Sequence, residues 1–239
     1  VTRHYTAHAA VRAERDAAGR TRLATLRSDG PYALRETPDA VYLVGAAAGP
    51  LGGDRLHLDL EVGAGASLAV RSVASSLLLP GDGESEAGVT ARVASGAHLD
   101  FALEPAVATA GCRHRSVADI VLAEGATLRW REELVLGRHG EPAGPYSGRI
   151  DVVLDGAPLL RHELRLPDPE MHAGGAVLGG ARCAGNVLLV GHGLAKDAHA
   201  AEGLAVMPLA GPGVLVTALA PDSATLRRLL VQGEQHARG

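Results

Sequence analysis

Four copies of one short pattern, Gly-Ala-x-Leu, set the strongest limit on how this chain folds. They are Gly65-Ala66-Ser67-Leu68, Gly96-Ala97-His98-Leu99, Gly125-Ala126-Thr127-Leu128 and Gly156-Ala157-Pro158-Leu159, with glycines 31, 29 and 31 residues apart. Each glycine follows one short apolar run and precedes another. Ser95-Gly96, Glu124-Gly125 and Asp155-Gly156 are dipeptides of the kind that joins adjacent antiparallel strands. A fixed period of about 30 residues with one turn in each is the mark of stacked β units. A single hairpin is too small to bury its apolar face, so neighbours must stack to share a core. The expected fold is therefore mainly β: a stacked or helical β-sheet scaffold of antiparallel hairpins with a few short helices, one of them near the C-terminus. The 239 residues suffice for a large core. No composition break marks a boundary, so residues 1–239 read as one domain.

Ahead of the first copy lies the stretch GAAAGPLGGDRLHLDLEV, residues 45–62. Its second half alternates: Leu56, Leu58, Leu60 and Val62 share one face, and Arg55, His57, Asp59 and Glu61 the other. That period of two predicts a half-buried strand. Gly49-Pro50 and Gly52-Gly53 predict a tight turn in which backbone lies close to whatever it touches. Asp54 stands where turn meets strand, and its carboxylate either caps the turn or faces a partner.

Strands are expected over residues 5–11, 22–25, 40–44, 67–73, 187–190 and 214–219. Residues 167–175 break the pattern. Residues 197–203 suit a short helix, and Asp222 or Ser223 caps a helix over residues 224–232.

Several function classes are excluded. A net charge of -4 and 3% aromatic content leave neither a basic surface nor stacking platforms for nucleic acid. No uninterrupted apolar run reaches the ~18 residues of a membrane span, and residues 1–10 carry no apolar signal core. Cys112 and Cys183 read as two reduced thiols, and the expected compartment is the cytoplasm. Nucleophile-elbow, phosphate-loop and HExxH signatures are missing.

Cys112 and His114, two apart, would share a strand face and suit nickel or zinc, but two ligands are too few for a closed site. His57 and His98 lie on polar faces, and His162 reads as a hydrogen-bonded core residue. Glu104 ends a strand and points with His98 and Asp100. Glu132 and Glu133 must face opposite sides of their sheet, so one pairs with an arginine or lines a wet interior. An enzyme reading remains beside this one: a hydrolase or transferase using Glu104 with His98 or His114. A carbohydrate-binding module is disfavoured by the few aromatic rings.

An ordered set of motifs then resembles the urease accessory protein UreD (UreH) family. It runs from Leu51-Gly52-Gly53-Asp54-Arg55-Leu56, Asp59 and Gly63-Ala64-Gly65-Ala66 through Leu103-Glu104-Pro105 and Trp130-Arg131-Glu132-Glu133. Leu136-Gly137-Arg138, Gly140-Glu141 and GAPLLRHELRL (residues 156–166) follow. Where many members carry a lysine and an aromatic after the first turn, this chain reads VRSVASSLLLP. The resemblance implies a β-rich fold with two helices and a non-catalytic role in nickel insertion into apo-urease. It implies binding to UreF, which recruits the GTPase UreG, and an interior water-filled passage for transient nickel with no tightly bound cofactor. On that reading Asp54, Asp59, Glu61 and Glu104 are expected to line or open the passage, and Gly52, Gly53, Asp54, Gly137 and Arg138 to form the family motif.

Overall fold

The computed structural model describes residues 4–168 and 174–239; the middle of the pattern-breaking segment, residues 169–173, lies outside them. The 30-residue period is the coil of the fold. In each coil one strand joins a first sheet, the chain turns at the glycine, and the next strand joins a second sheet facing it. The first sheet takes β5 (Arg55–Val62), β8 (Ser85–Val93), β11 (His114–Leu122) and β13 (Tyr146–Leu154); the second takes β6 (Ser67–Ser72), β9 (His98–Ala102) and β12 (Thr127–Leu136). Successive coils stack in parallel with the register the sequence spacing dictates. Leu68 pairs with Leu99 and Leu99 with Leu128.

The stacked β architecture is as expected, but the antiparallel hairpins are corrected at three of the four turns. Gly65, Gly96 and Gly125 sit at arches between the two sheets. Each holds a positive φ between 64° and 72°. Each arch closes by one backbone bond, from Ala66, Ala97 and Ala126 to the carbonyl three residues back. Glycine at the third position of such a turn supplies a conformation that other residues resist. The alanine that follows is buried in every arch and the leucine two residues on forms a ladder, so the motif is a corner piece of the core. Only Asp155-Gly156 makes a hairpin, joining β13 to β14 (Ala157–Leu166) with positive φ at both residues, 48° and 76°. Gly156→Val should cost about 1–2 kcal/mol because a branched side chain cannot adopt that φ without strain; urea denaturation measures it.

Between the sheets lies one apolar core. Leu58, Leu60 and Val62 face inward as the alternation predicts, opposite Leu68, Val70, Leu99, Phe101, Leu128 and Trp130. Phe101 and Trp130, neighbours in register, stack face to face.

The N-terminal residues form a hairpin of β1 (Thr6–Arg15) and β2 (Thr21–Arg27), with β1 parallel to β5. Then β3 (Tyr32–Glu36) and β4 (Val41–Gly45) extend the second sheet past β6. On its other side β15 (Cys183–Val190), β18 (Gly213–Ala220), β17 (Leu204–Pro208) and β16 (His199–Ala201) add antiparallel strands. The short helix expected over 197–203 is instead β16 and its turn, held by pairing to β17.

One helix is present among the described residues, α1 (Ser223–Arg238), longer than predicted; Asp222 caps it by accepting from Thr225 N at 2.8 Å. Leu226, Leu230 and Ala237 seat it on β15, β17 and β18. No helix among the described residues is long and apolar enough to cross a membrane.

Candidate functional site

The second sheet has a gap. Pairing of β9 with β12 stops at Ala102 and Arg131 and resumes at Ala106 and Leu134, where β10 (Ala106–Ala108) takes over. Pairing of β6 with β9 stops at Arg71 and resumes at Ser76, on β7 (Ser76–Leu78). Residues 132–133, 103–105 and 72–75 are left without ladder pairing to one another, although 132–133 pair with β15 and Ser72 with β4 on their other edges, so the opening widens from two residues to three to four. Two bonds span it: Glu104 N donates to Ser72 Oγ at 2.9 Å and Ser76 N to the Pro105 carbonyl at 3.1 Å.

Beside this gap the sheets enclose a cavity of about 400 Å³, whose polar lining includes Asp54, Glu104, His114, Glu132, Glu133 and Tyr146. A second space of about 100 Å³ shares Glu132, Glu133 and Tyr146 with it and continues past His162, Asn186 and Thr217. Glu132, Glu133 and Tyr146 thus border both spaces, whose walls are otherwise mostly apolar.

Glu132 and Glu133 take opposite sides of β12, as their parity requires. Glu132 faces inward with Trp130, whose Nε1 donates to Glu132 Oε1 at 2.9 Å. Burial pushes the Glu132 carboxyl up to about 7, against the lowering effect of that bond. Glu133 lies towards α1, where Arg131 Nε approaches its Oε1 to 3.0 Å and Arg227 Nη2 to 3.2 Å. Its other oxygen is buried and takes no hydrogen bond from the described residues. Arg227 also donates to Glu104 Oε2 at 3.0 Å, so one guanidinium from α1 ties both carboxylates at the gap.

His114 is 3% exposed, with Nδ1 2.8 Å from Ser85 Oγ. Burial pushes its imidazole down to about 4, so it is neutral at physiological pH. The shared strand face with Cys112 is not realised: β11 starts at His114, and Cys112 occupies the preceding turn with Sγ 4.0 Å from the Pro145 carbonyl. Burial raises that thiol to about 11, leaving it a protonated, inert group. Both cysteines are free.

The expected passage residues divide. Asp54 and Glu104 line the cavity. Asp59 and Glu61 stand on the outer face of the first sheet, because the leucines alternating with them fill the core. Asp54 is itself committed to the turn: Oδ1 accepts from Tyr5 N at 2.8 Å and Oδ2 from Leu51 N at 2.9 Å. A Cβ on Gly52 would lie 2.7 Å from Gly81 N, and one on Gly53 would enter the His4 ring, so the glycines permit close packing. Gly137, at φ 75°, turns the chain into a loop that Arg138 locks with three bonds to the Glu141 carboxylate, from its backbone N–H and Nε at 2.8 Å each and from Nη2 at 3.0 Å. That partner holds the Glu141 carboxyl down at about 2.

Neither enzyme pairing forms. Glu104 bonds Arg227, His98 bonds Thr127 at 2.8 Å, and His114 bonds Ser85. His162 sits in the smaller compartment, 3.4 Å from Asn186 Nδ2. The sequence left Tyr146 and Arg227 unassigned; the parity of the Glu132-Glu133 pair was the one signal pointing to an interior carboxylate. Carboxylates and neutral imidazoles set apart along a mostly apolar wall offer a divalent cation scattered donors without closing around it.

A sequence profile of the UreD urease accessory protein family matches residues 5–239. The urease accessory protein UreD of Frankia alni is 44% identical, over 94% of this chain and 90% of its own length. That of Streptomyces coelicolor is 41% identical, over 94% of this chain and 93% of its own. A third, UreD 1 of Saccharopolyspora erythraea, is 37% identical over 96% of this chain and 94% of its own. With coverage of this extent and the profile running the length of the coils, the chain belongs to the UreD urease accessory protein family.

Proposed function

We propose that this chain is a non-catalytic scaffold of urease maturation that passes nickel through its interior to apo-urease. In this reading it works in the cytoplasm, assembled with UreF and, through UreF, with the GTPase UreG. The observation that carries it is the pair of adjoining spaces, mostly apolar but both bordered by Glu132, Glu133 and Tyr146, one of them beside a gap in its sheet. Nickel is cargo here, so a chain of weak stations suits the task better than a closed four-ligand site, from which the ion would leave slowly. The free thiols fit a reducing compartment.

A plug tests the passage separately from the scaffold. Ala87 lines the larger cavity, and Ala87→Phe places a ring in space that is already empty, so the cost of overpacking is small. The variant is expected to co-purify with UreF and apo-urease in normal amounts. The urease matured beside it in cells should contain several-fold less nickel. Normal nickel content with the ring in place would reject transport through this cavity.

A further inference from the structure

The outer face of the first sheet carries a donor group that the interior passage does not use. His8 on β1 and His57 on β5 are direct register partners, and Asp59 follows His57 on the same face. One donor atom from each lies within 4.8 Å of the other two, the only such group of three among the described residues. His8 Nε2 is 2.5 Å from Asp59 Oδ2, and His57 Nε2 is 3.2 Å from Asp59 Oδ1. Thr90 Oγ1 on β8 is 3.1 Å from the same His57 nitrogen, and the two imidazoles meet edge to face.

Two features set this group apart from a chance surface ion pair. All its members stand on adjacent parallel strands whose register the core beneath them fixes, which holds donors more tightly than loops do. The residue beside His57 on β8 is Gly88, in ordinary strand conformation. A Cβ there would come within 2.6 Å of His57 Nδ1. The glycine is a space left for the ring, which lies against β8 with its other nitrogen turned to Asp59. The backbone of His8 is fixed as well, its N–H donating to Asp29 Oδ2 at 2.7 Å.

We propose that His8, His57 and Asp59 form a surface site for a divalent first-row transition-metal ion. Two imidazoles with one carboxylate suit nickel, zinc or cobalt and do not suit magnesium or calcium, which take oxygen donors. Three protein ligands leave coordination positions for water, so the bound ion exchanges. The site stands on the far side of its sheet from the cavity and does not depend on the passage.

Calorimetric titration of the full chain with nickel and with zinc chloride, magnesium chloride serving as control, tests it. The wild type is expected to bind one more nickel or zinc ion than a His8→Gln/His57→Gln double variant, and to bind no magnesium there. Gly88→Ala, which removes no ligand, should weaken that ion at least ~10-fold by displacing the His57 ring. With copper as a probe, electron paramagnetic resonance should show two imidazole nitrogens in the wild type and lose them in the double variant. The exposed His8→Gln single variant, expected to weaken binding at least ~10-fold, replaces the double variant if that chain fails to fold. The Ala87→Phe plug should leave this affinity unchanged. Equal stoichiometry and affinity in wild type and histidine variants, or no transition-metal binding by the wild type, overturns the proposal.

Discussion

Asp54→Ala is expected to destabilise the protein by about 3–5 kcal/mol, because this carboxylate holds the N-terminal strand to the coils. Its side chain is almost fully buried, and its two oxygens accept from the backbone N–H groups of Tyr5 and Leu51. Hydrogen bonds to a charged acceptor contribute about 1.5–3 kcal/mol each, and alanine leaves both N–H groups without that partner. A loss of that size lowers the melting temperature of a chain this long by roughly 10 °C. Asp54→Asn keeps the shape but turns an NH2 towards one of the two donors, so it should fall between wild type and alanine. Urea denaturation and thermal melting read both. If Asp54→Ala melts within a few degrees of wild type and lowers urease activation, the carboxylate serves the cavity instead of the turn.

The sequence made the repeat legible and left the pairing hidden. A glycine after a short apolar run marks a reversal, but an arch to a facing sheet and a hairpin to a neighbouring strand begin alike. The difference lies at the residue before the glycine. Asp155, which shares positive φ with Gly156, suits a two-residue hairpin turn, whereas Ala64, Ser95 and Glu124 precede glycines that carry the only positive φ of their turns. The inward side of β5 was fixed by its alternation, and the same alternation put Asp59 and Glu61 outside, where the family resemblance had set them along a passage. Glu132 and Glu133 show the limit most clearly. Their opposite parity was readable, but Arg227, which ties Glu133 to Glu104, comes from a helix 94 residues further along the chain. The His8, His57 and Asp59 group was hidden for the same reason, since it exists only because β1 pairs with β5 across 49 residues.

Glu132→Gln should make the protein more stable and a poorer activator of urease, with the stability gain growing as pH rises. The folded chain raises this carboxyl from its ordinary value near 4.5 to about 7 by burying it between the sheets. A group raised in this way contributes stability that is fully present below about pH 4.5 and lost as pH climbs through 7. The size of the displacement corresponds to roughly 3 kcal/mol, given up by the wild type across that window. Glutamine keeps the oxygen that accepts from Trp130 Nε1 and carries no charge to desolvate, so the variant lacks the loss. Urea denaturation should therefore show little difference between the two proteins near pH 5 and a variant more stable by up to ~3 kcal/mol near pH 8. The same substitution takes an anionic oxygen from the point where the two compartments meet, and a neutral amide holds a divalent cation more weakly than a carboxylate does. Urease matured in cells with the variant should accordingly carry less nickel, while complexes with UreF form normally. The opposite signs of the two effects make the test sharp, because a substitution that merely damaged the fold would lower stability and activation together. A stability difference that does not change with pH would show that Glu132 is not held between the sheets as an acid with a raised pKa. Wild-type nickel loading by the variant would show that cations do not depend on its charge.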